Sequence, residues 1–426
     1  MNILWISNIV LPEALSLLGV NNILRGTGGW MIGAVNSLLQ NSSINLYIAS
    51  PTNRVTKLVE LKGKKVTYFL FPLGSGNHKY NPSFEVYFKR IKTIAKPDVV
   101  HIHGTEFSHS LAYVRACGPE KVVASIQGMT SELSKYKTAG LTTWDIVKHL
   151  SISDIFMKQS LFYKVKELKE CGKSEIALIK ELKHIIGRTT WDRANTWAIN
   201  QNINYHFCNE TLRPEFYTGE QWTYDKCEKH TIFCNQPTNT IKGFHQLLKA
   251  LPLVVKQFPD TKVYLSGVKS LKSDTLKHKL IETGYIRYLR DEIKKANLDK
   301  NIVFLGPLDA EQMKRQYLNA NVFVSPSTIE NSPNSIGEAQ ILGTPVISSF
   351  VGGVSDMIDN NVSGFLYRFE DTNALAFLIC KLFAGDVNYE EMTNNEITVA
   401  KQRHDPIINT TSLLKIYNDI LQNDKI

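Results

Sequence analysis

Two carboxylates, Glu330 and Glu338, are separated by seven intervening residues in the stretch Pro326-Ser-Thr-Ile-Glu330-Asn-Ser-Pro-Asn-Ser-Ile-Gly-Glu338. Ser332-Pro333 reads as a helix cap followed by proline at the first helical position, and Gly343 reads as the stop. Glu330 then falls on a loop and Glu338 about one turn into a helix. The N–H groups of Asn334, Ser335 and Ile336 would point at the mouth of the same site. A helix N-terminus attracts phosphate through its free N–H groups and its positive dipole end. Carboxylates beside it suit the hydroxyls of a sugar, so together these features describe a pocket for a nucleotide sugar. The spacing alone also allows Glu338 merely to complement the helix dipole, with Glu330 solvated.

Three further places hold residues with chemistry. Lys242-Gly243 closes a polar loop just before a helix, where the lysine can neutralise a diphosphate as a point cation and the glycine admits close backbone approach. Gly26-Thr-Gly28-Gly29-Trp30 lacks the third glycine of a dinucleotide fingerprint and lies some twenty residues past its strand, so it reads as a glycine loop capping a cleft. His101 and His103 end one strand and Gln127-Gly128 end another, which would line one wall of a cleft between domains. A histidine at a strand end is also commonly just a polar core residue.

These positions need a scaffold that delivers many loops to one edge. Strand-like runs alternate with helical patterns almost throughout, the pattern of parallel sheets with crossover helices. Strands are expected at 2–8, 44–50, 65–71, 98–103, 121–126 and 203–208, then at 230–235, 262–267, 301–305, 321–325 and 345–349. Several are apolar at consecutive positions, as strands covered on both faces are. Helices are expected at 243–258, bent at Pro252, and at 333–342. Ligands of such sheets bind beyond the carboxyl ends of the strands. The polar stretch 218–229 reads as a linker, so the fold class is α/β, with Rossmann-like domains at 1–225 and 226–402 and a final segment at 403–426.

Composition agrees. A chain of 426 residues suggests two or three domains, and 43% hydrophobic with 21% charged residues excludes a disordered, collagenous or coiled-coil protein. No apolar run reaches bilayer length, and the N-terminus lacks the basic region and cleavage site of a signal peptide. The six cysteines show no metal or redox spacing, as in a reduced, cytoplasmic protein. Residues 1–217 hold 26 basic and 16 acidic side chains, whereas the remainder holds 23 and 24. An excess of positive charge in the first half suits a phosphorylated substrate or an anionic membrane surface. Nucleic acid is excluded, because no recognition signature appears and the basic residues are dispersed. Residues 133–186 interleave lysines with Tyr136, Trp144, Phe156, Phe162 and Tyr163, as an interfacial amphipathic helix does. An ordinary surface helix packed by its aromatics is the plainer alternative.

The stretches IENSPNSIGEAQILGTPVISSFVGGVSDMIDNNVSGFLY (329–367) and KGFHQLLKALPLVVKQFPDTKVYLSG (242–267) carry a resemblance to a known family. The chain resembles the retaining glycosyltransferases of family 4, of GT-B fold, over nearly its whole length. DVVHIHG (98–104) and GRTTWDRA (187–194) look like a bacterial subset that builds surface polysaccharides. RHDPIINTTSLLKIYNDIL (403–421) looks like the family's C-terminal helix, which returns to the N-terminal domain.

The resemblance implies a nucleotide-diphosphate sugar bound by the C-terminal domain and a glycan or lipid-diphosphate-linked acceptor bound by the N-terminal one. Glu338 would hold the ribose and Glu330 the donor sugar hydroxyls. Lys242, Gly243 and the amides of Asn334 to Ile336 would meet the diphosphate, and Gly28 and Gly29 the donor phosphate and acceptor. Gly306 and Pro326 would shape the pocket for the base, and His103 and Gln127 would stand near the reacting groups. Retention would follow front-face attack through an ion-pair-like transition state, with neither metal nor bound cofactor. The chain departs from the family twice. CNQPTNTIKG (234–243) lacks the arginine common before the lysine, leaving Asn235 and Thr240 as neutral donors, and Gln127 replaces a common histidine. A nucleotide-sugar epimerase and a non-catalytic partner protein of the same fold are the alternatives. The expected location is the cytoplasm, with peripheral attachment to the membrane's inner face.

Overall fold

The computed structural model describes residues 1–20, 29–74, 80–268, 271 and 281–423. The chain divides into two compact units. The first comprises Met1–Ser134, Glu167–Arg213 and His404–Ile426, and the second Lys135–Lys166 and Pro214–Arg403.

The first unit is built on eight strands: β1 (Asn2–Ser7), β2 (Asn45–Thr52), β3 (Val59–Lys62), β4 (Val66–Pro72), β5 (Val99–His103), β6 (Val122–Ser125), β7 (His184–Gly187) and β8 (Asn204–Phe207). Their order is β3-β4-β2-β1-β5-β6-β7-β8, parallel except at the β3–β4 edge. Consecutive apolar residues of β1 serve opposite faces. Ile3 and Trp5 enter one core layer, Leu4 and Ile6 the other. The layer around Trp5 is completed by Ile416, Tyr417 and Ile420 from the helix Pro406–Asn423.

The second unit carries β9 (Glu228–Asn235), β10 (Lys262–Ser266), β11 (Ile302–Gly306), β12 (Ala320–Ser325), β13 (Val346–Ser349) and β14 (Phe365–Tyr367). They form one parallel sheet in the order β11-β10-β9-β12-β13-β14. The helix Phe244–Gln257 runs on through Pro252. Three strands escape the sequence pattern. β3 is a short charged edge, Val-Glu-Leu-Lys, and β7 and β14 have only four and three residues.

Both sheets reverse their winding once, between β1 and β5 and between β9 and β12. Such a reversal leaves adjacent strands whose following loops diverge to opposite faces, opening a crevice at their carboxyl ends.

Residues 135–166 belong to the second unit, not to the N-terminal domain expected over 1–225, and the chain passes to that unit at Pro214 rather than near 225. The reason lies in specific contacts. Leu141 and Ile146 enter the second unit's core. His245 Nε2 lies 2.9 Å from the Ala139 carbonyl, Arg287 donates to the Leu150 carbonyl at 3.0 Å, and His149 faces Asp291 at 3.4 Å. By these boundaries the first unit has 22 basic and 16 acidic residues and the second 27 and 24. The excess positive charge is therefore shared, +6 and +3, because the 135–166 segment takes its lysines with it.

Candidate functional site

The crevice of the second sheet lies between the loops after β9 and β12. After β9 the chain makes a short turn, Thr240–Lys242, before the helix Phe244–Gln257. After β12 it runs to the helix Asn334–Leu342. The Thr328 N–H donates to the Ile241 carbonyl at 2.8 Å, stitching one loop to the other. Gly243 has φ +66°, and a Cβ there would lie 1.8 Å from the Pro326 carbonyl oxygen. Gly352 does the same for the next turn, where a Cβ would lie 1.9 Å from the Glu330 carbonyl oxygen. That carbonyl accepts the Gly353 N–H at 3.0 Å.

This close backbone packing sets Lys242 Nζ 2.6 Å from Glu330 Oε1, and the Ser327 hydroxyl donates to the same oxygen at 2.6 Å. The two charged side chains keep 21% and 12% exposure, enough to meet a ligand. Lys137 reaches the neighbouring loop, donating to Asn239 Oδ1 at 3.3 Å. Thr240 is buried, and its hydroxyl has no partner among the described residues. Asn235 closes β9 opposite Ser266, and Gly306, at φ +78°, closes β11.

The helix Asn334–Leu342 differs from expectation at its start. Pro333 is the extended cap residue and Asn334 the first helical one. Ser332 does not cap it, since its hydroxyl accepts from Arg403 Nη2 at 3.1 Å. Ile336 is also spent, its N–H donating to the Pro333 carbonyl at 3.0 Å. Asn334 and Ser335 supply the first two helical N–H groups, which have no intrahelical acceptor. Glu338 is buried in the following turn, and Gly343, at φ +77°, ends the helix.

The first unit places its expected residues differently. His103 ends β5 but is buried, its ring 3.9 Å from that of His101, 4.5 Å from Trp5 and 5.6 Å from Trp30. Nε2 of His103 has no hydrogen-bond partner among the described residues. Burial holds its pKa well below the usual range, helped by His101, so the ring is neutral. His101 is pushed down to about 3 by burial, with the hydroxyls of Tyr417 and Ser125 at 2.6 and 2.5 Å from its two nitrogens. Gln127 donates from Nε2 to Glu210 Oε1 at 2.5 Å. Glu210 in turn pairs with Arg188 at 2.6 Å, and Arg188 donates to the Ile126 carbonyl at 2.8 Å. Gly29 opens the helix Gly29–Leu38, and a Cβ on it would lie 2.7 Å from the Arg213 side chain. Gly28 lies outside the described residues.

The sequence does not mark Ser327 or Glu210 as site residues, and Gly352 stands out in it only as part of the family-like Gly-Gly-Val at 352–354. Ser327 and Gly352 lie inside or beside the quoted 329–367 stretch, so proximity to Glu330 was the available signal. Nothing links Gln127 to Glu210 across 83 positions.

Residues 221–399 match the family model described as glycosyl transferases group 1. That stretch holds Lys242, Glu330 and Glu338. An uncharacterized glycosyltransferase of Methanocaldococcus jannaschii, MJ1607, is 23% identical over 313 residues, 71% of this chain and 70% of that protein. The amylovoran biosynthesis glycosyltransferase AmsK of Erwinia amylovora is 31% identical over 106 residues, 24% of this chain and 26% of its own. Sucrose-phosphate synthase from Thermosynechococcus elongatus is similar in structure, with a TM-score of 0.70 at 17% identity and 99% of both chains covered. HepE of Anabaena in complex with UDP and glucose gives 0.64 at 14% identity, covering 98% of this chain and 99% of that one. The fold is GT-B, two Rossmann-like α/β domains on parallel sheets.

Proposed function

We propose that the chain is a retaining glycosyltransferase that moves a sugar from a nucleotide-diphosphate sugar to a glycan or lipid-linked acceptor in bacterial surface-polysaccharide assembly. The observation that carries this is the Lys242–Glu330 pair at 2.6 Å, set at the winding reversal of the second sheet beside a helix N-terminus. The likeness to AmsK supports the polysaccharide setting, and that to HepE with UDP makes a UDP-sugar the first donor to try.

In this reading, the ion pair holds two side chains ready for different partners. Lys242 meets phosphate oxygens, while Glu330, fixed by Ser327, accepts hydrogen bonds from donor sugar hydroxyls. Glu338 takes the ribose. The bond to be broken releases a nucleoside diphosphate, a good leaving group that needs positive potential more than a proton. Lys242 and the N–H groups of Asn334 and Ser335 supply it without a metal ion. Gly243 brings the backbone against the diphosphate, with Asn235 and Thr240 as neutral donors, and Gly306 and Pro326 bound the base. The first unit takes the acceptor. Its neutral His103 can donate or accept a hydrogen bond but cannot serve as a cation at neutral pH.

The test is turnover of UDP- and GDP-sugars with a glycan acceptor, read by nucleotide release and by the anomeric configuration of the product. Glu330→Ala and Lys242→Ala should each lower turnover by about 100-fold or more, and EDTA should leave it unchanged. Wild-type rates in both variants would remove the site assignment. An isomerised donor formed without acceptor would make the chain an epimerase.

A further inference from the structure

In the helix Ile152–Phe156 the usual polarity is inverted, and the helix Thr143–Lys148, though it buries Ile146, also exposes apolar side chains. Ser153 and Asp154 are buried at 1% and 5% exposure, while Trp144, Ile155 and Phe156 stand 71%, 64% and 80% exposed. Val147, Ile152 and Met157 are exposed beside them. The spacing is helical, at i, i+3 and i+4, so these side chains share outward faces. A helix on a water-soluble surface turns its apolar stripe to the core.

The inversion is not a loose end of chain. Thr142 with Asp145, and Ser151 with Asp154, form reciprocal capping boxes. Asp154 Oδ2 also accepts the Gly284 N–H at 2.7 Å, and a Cβ on Gly284 would lie 2.5 Å from that oxygen. Ile146 is held in the core. The polar groups point inward because they bond the scaffold, and that forces the apolar ones out.

We propose that this face of the second unit, from Trp144 to Met157, docks on the surface of an anionic lipid bilayer. Contiguous exposed apolar surface marks an interaction site, and the charge around it selects the occupant. Residues 142–166 contain Lys148, Lys158, Lys164 and Lys166 against only Asp145 and Asp154. Asp154 is buried, and Asp145 accepts from the Thr142 hydroxyl at 2.6 Å. An exposed indole and large aliphatic side chains flanked along the chain by lysines, a residue type whose stem can lie on apolar surface while its ammonium group stays in water, is the chemistry of a headgroup boundary. A second copy of the same face is disfavoured, since its lysines would meet like charge. No helix among the described residues is long and apolar enough to cross a membrane, so attachment here is superficial. The face is narrower than the 133–186 expected from sequence, because residues from Glu167 on belong to the first unit. This inference stands apart from the glycosyl-transfer reading.

The experiment is co-sedimentation of the full chain with vesicles of phosphatidylcholine alone and of equimolar phosphatidylcholine and phosphatidylglycerol, at low and high salt. Binding should be at least about tenfold stronger to the anionic vesicles and should fall as salt rises. Ile155→Asp with Phe156→Asp should abolish it while leaving the thermal midpoint and the turnover of soluble substrates unchanged. Lys148→Glu with Lys158→Glu should weaken binding to anionic vesicles alone. Equal binding by wild type and the double aspartate variant would overturn the proposal, as would equal binding to neutral vesicles. A wild-type dimer that the aspartate variant splits would assign the face to a second copy and overturn it equally.

Discussion

The loops at the winding reversal of the second sheet carry ionised groups in contact, Lys242 and Glu330, held by glycines that let backbone meet backbone. Around the corresponding end of β5 in the first unit the titratable groups are kept uncharged. Burial pushes His101 down to about 3 and holds His103 well below its ordinary range, and it pushes Glu106 up to about 8. A charged pair of that unit, Arg188 with Glu210, sits behind Gln127, and Arg188 is tied to the Ile126 carbonyl. The same sheet topology thus presents a polarised site in one unit and a neutral, hydrogen-bonding one in the other. A departing diphosphate needs the first kind. An acceptor hydroxyl, uncharged until late in the reaction, suits the second.

The sharpest way to break this contrast is at Gly243. Gly243→Ala should lower unfolding free energy by about 4 kcal/mol, because the new Cβ meets backbone rather than a movable side chain. Denaturant unfolding that leaves the variant as stable as wild type would show that the two loops need no close approach. Next, Arg188→Ala leaves Glu210 a poorly solvated anion and should cost about 3 kcal/mol by the same measurement. A cost near zero would mean that the pair behind Gln127 is ornamental to the fold.

The neutral side of the contrast can be read through pH. His109 packs against Phe71, Phe84 and Phe107, and burial lowers its pKa to about 3. Its folded pKa lies below the unfolded value, so the unfolded chain binds the extra proton. The stability it contributes is complete above about pH 6.5 and is lost as pH falls toward 3. Between pH 7 and pH 5 that loss is about 2 kcal/mol, and His109→Leu should remove it from the pH profile of unfolding. An unchanged profile would mean that the fold leaves the pKa of this ring where the unfolded chain has it. The smallest effect is expected at Ser327. Ser327→Ala removes one hydrogen bond to Glu330 and should weaken donor binding about fivefold, roughly 1 kcal/mol, in calorimetric titration. No change would place Glu330 by its lysine alone.

The same contrast explains what could be seen in the sequence. The second unit's site is written within short distances along the chain, where Glu330, Pro333, Glu338 and Gly343 obey the grammar of a loop entering a helix. Only the phase slipped, by one residue at Pro333, because Arg403 takes the Ser332 hydroxyl. The first unit's network is assembled from Gln127, Arg188, Glu210 and the His404 ring, which sits 2.8 Å from the Glu210 carbonyl. No spacing announces such a set. Both sheets were legible from their consecutive apolar strands. The allegiance of 135–166 was not, since it depends on Asp154 finding the Gly284 amide 130 positions later. The aromatic residues in that segment were visible, but their outward direction follows only from which polar groups are tied down inside.

The Tyr417 hydroxyl accepts the Trp5 indole N–H at 3.0 Å across 412 positions, and it touches His101 as well. Chains leave the ribosome from the N-terminus, and domains commonly fold in the order in which they emerge. Here β1 is made before the other strands of both sheets, yet one of its faces is not covered until Ile416, Tyr417 and Ile420 arrive about 400 residues later. The second unit, whose parts all lie between Lys135 and Arg403, has everything it needs earlier. The first sheet begun is therefore the last completed, and during synthesis its Trp5 face is the surface most in need of protection from other chains.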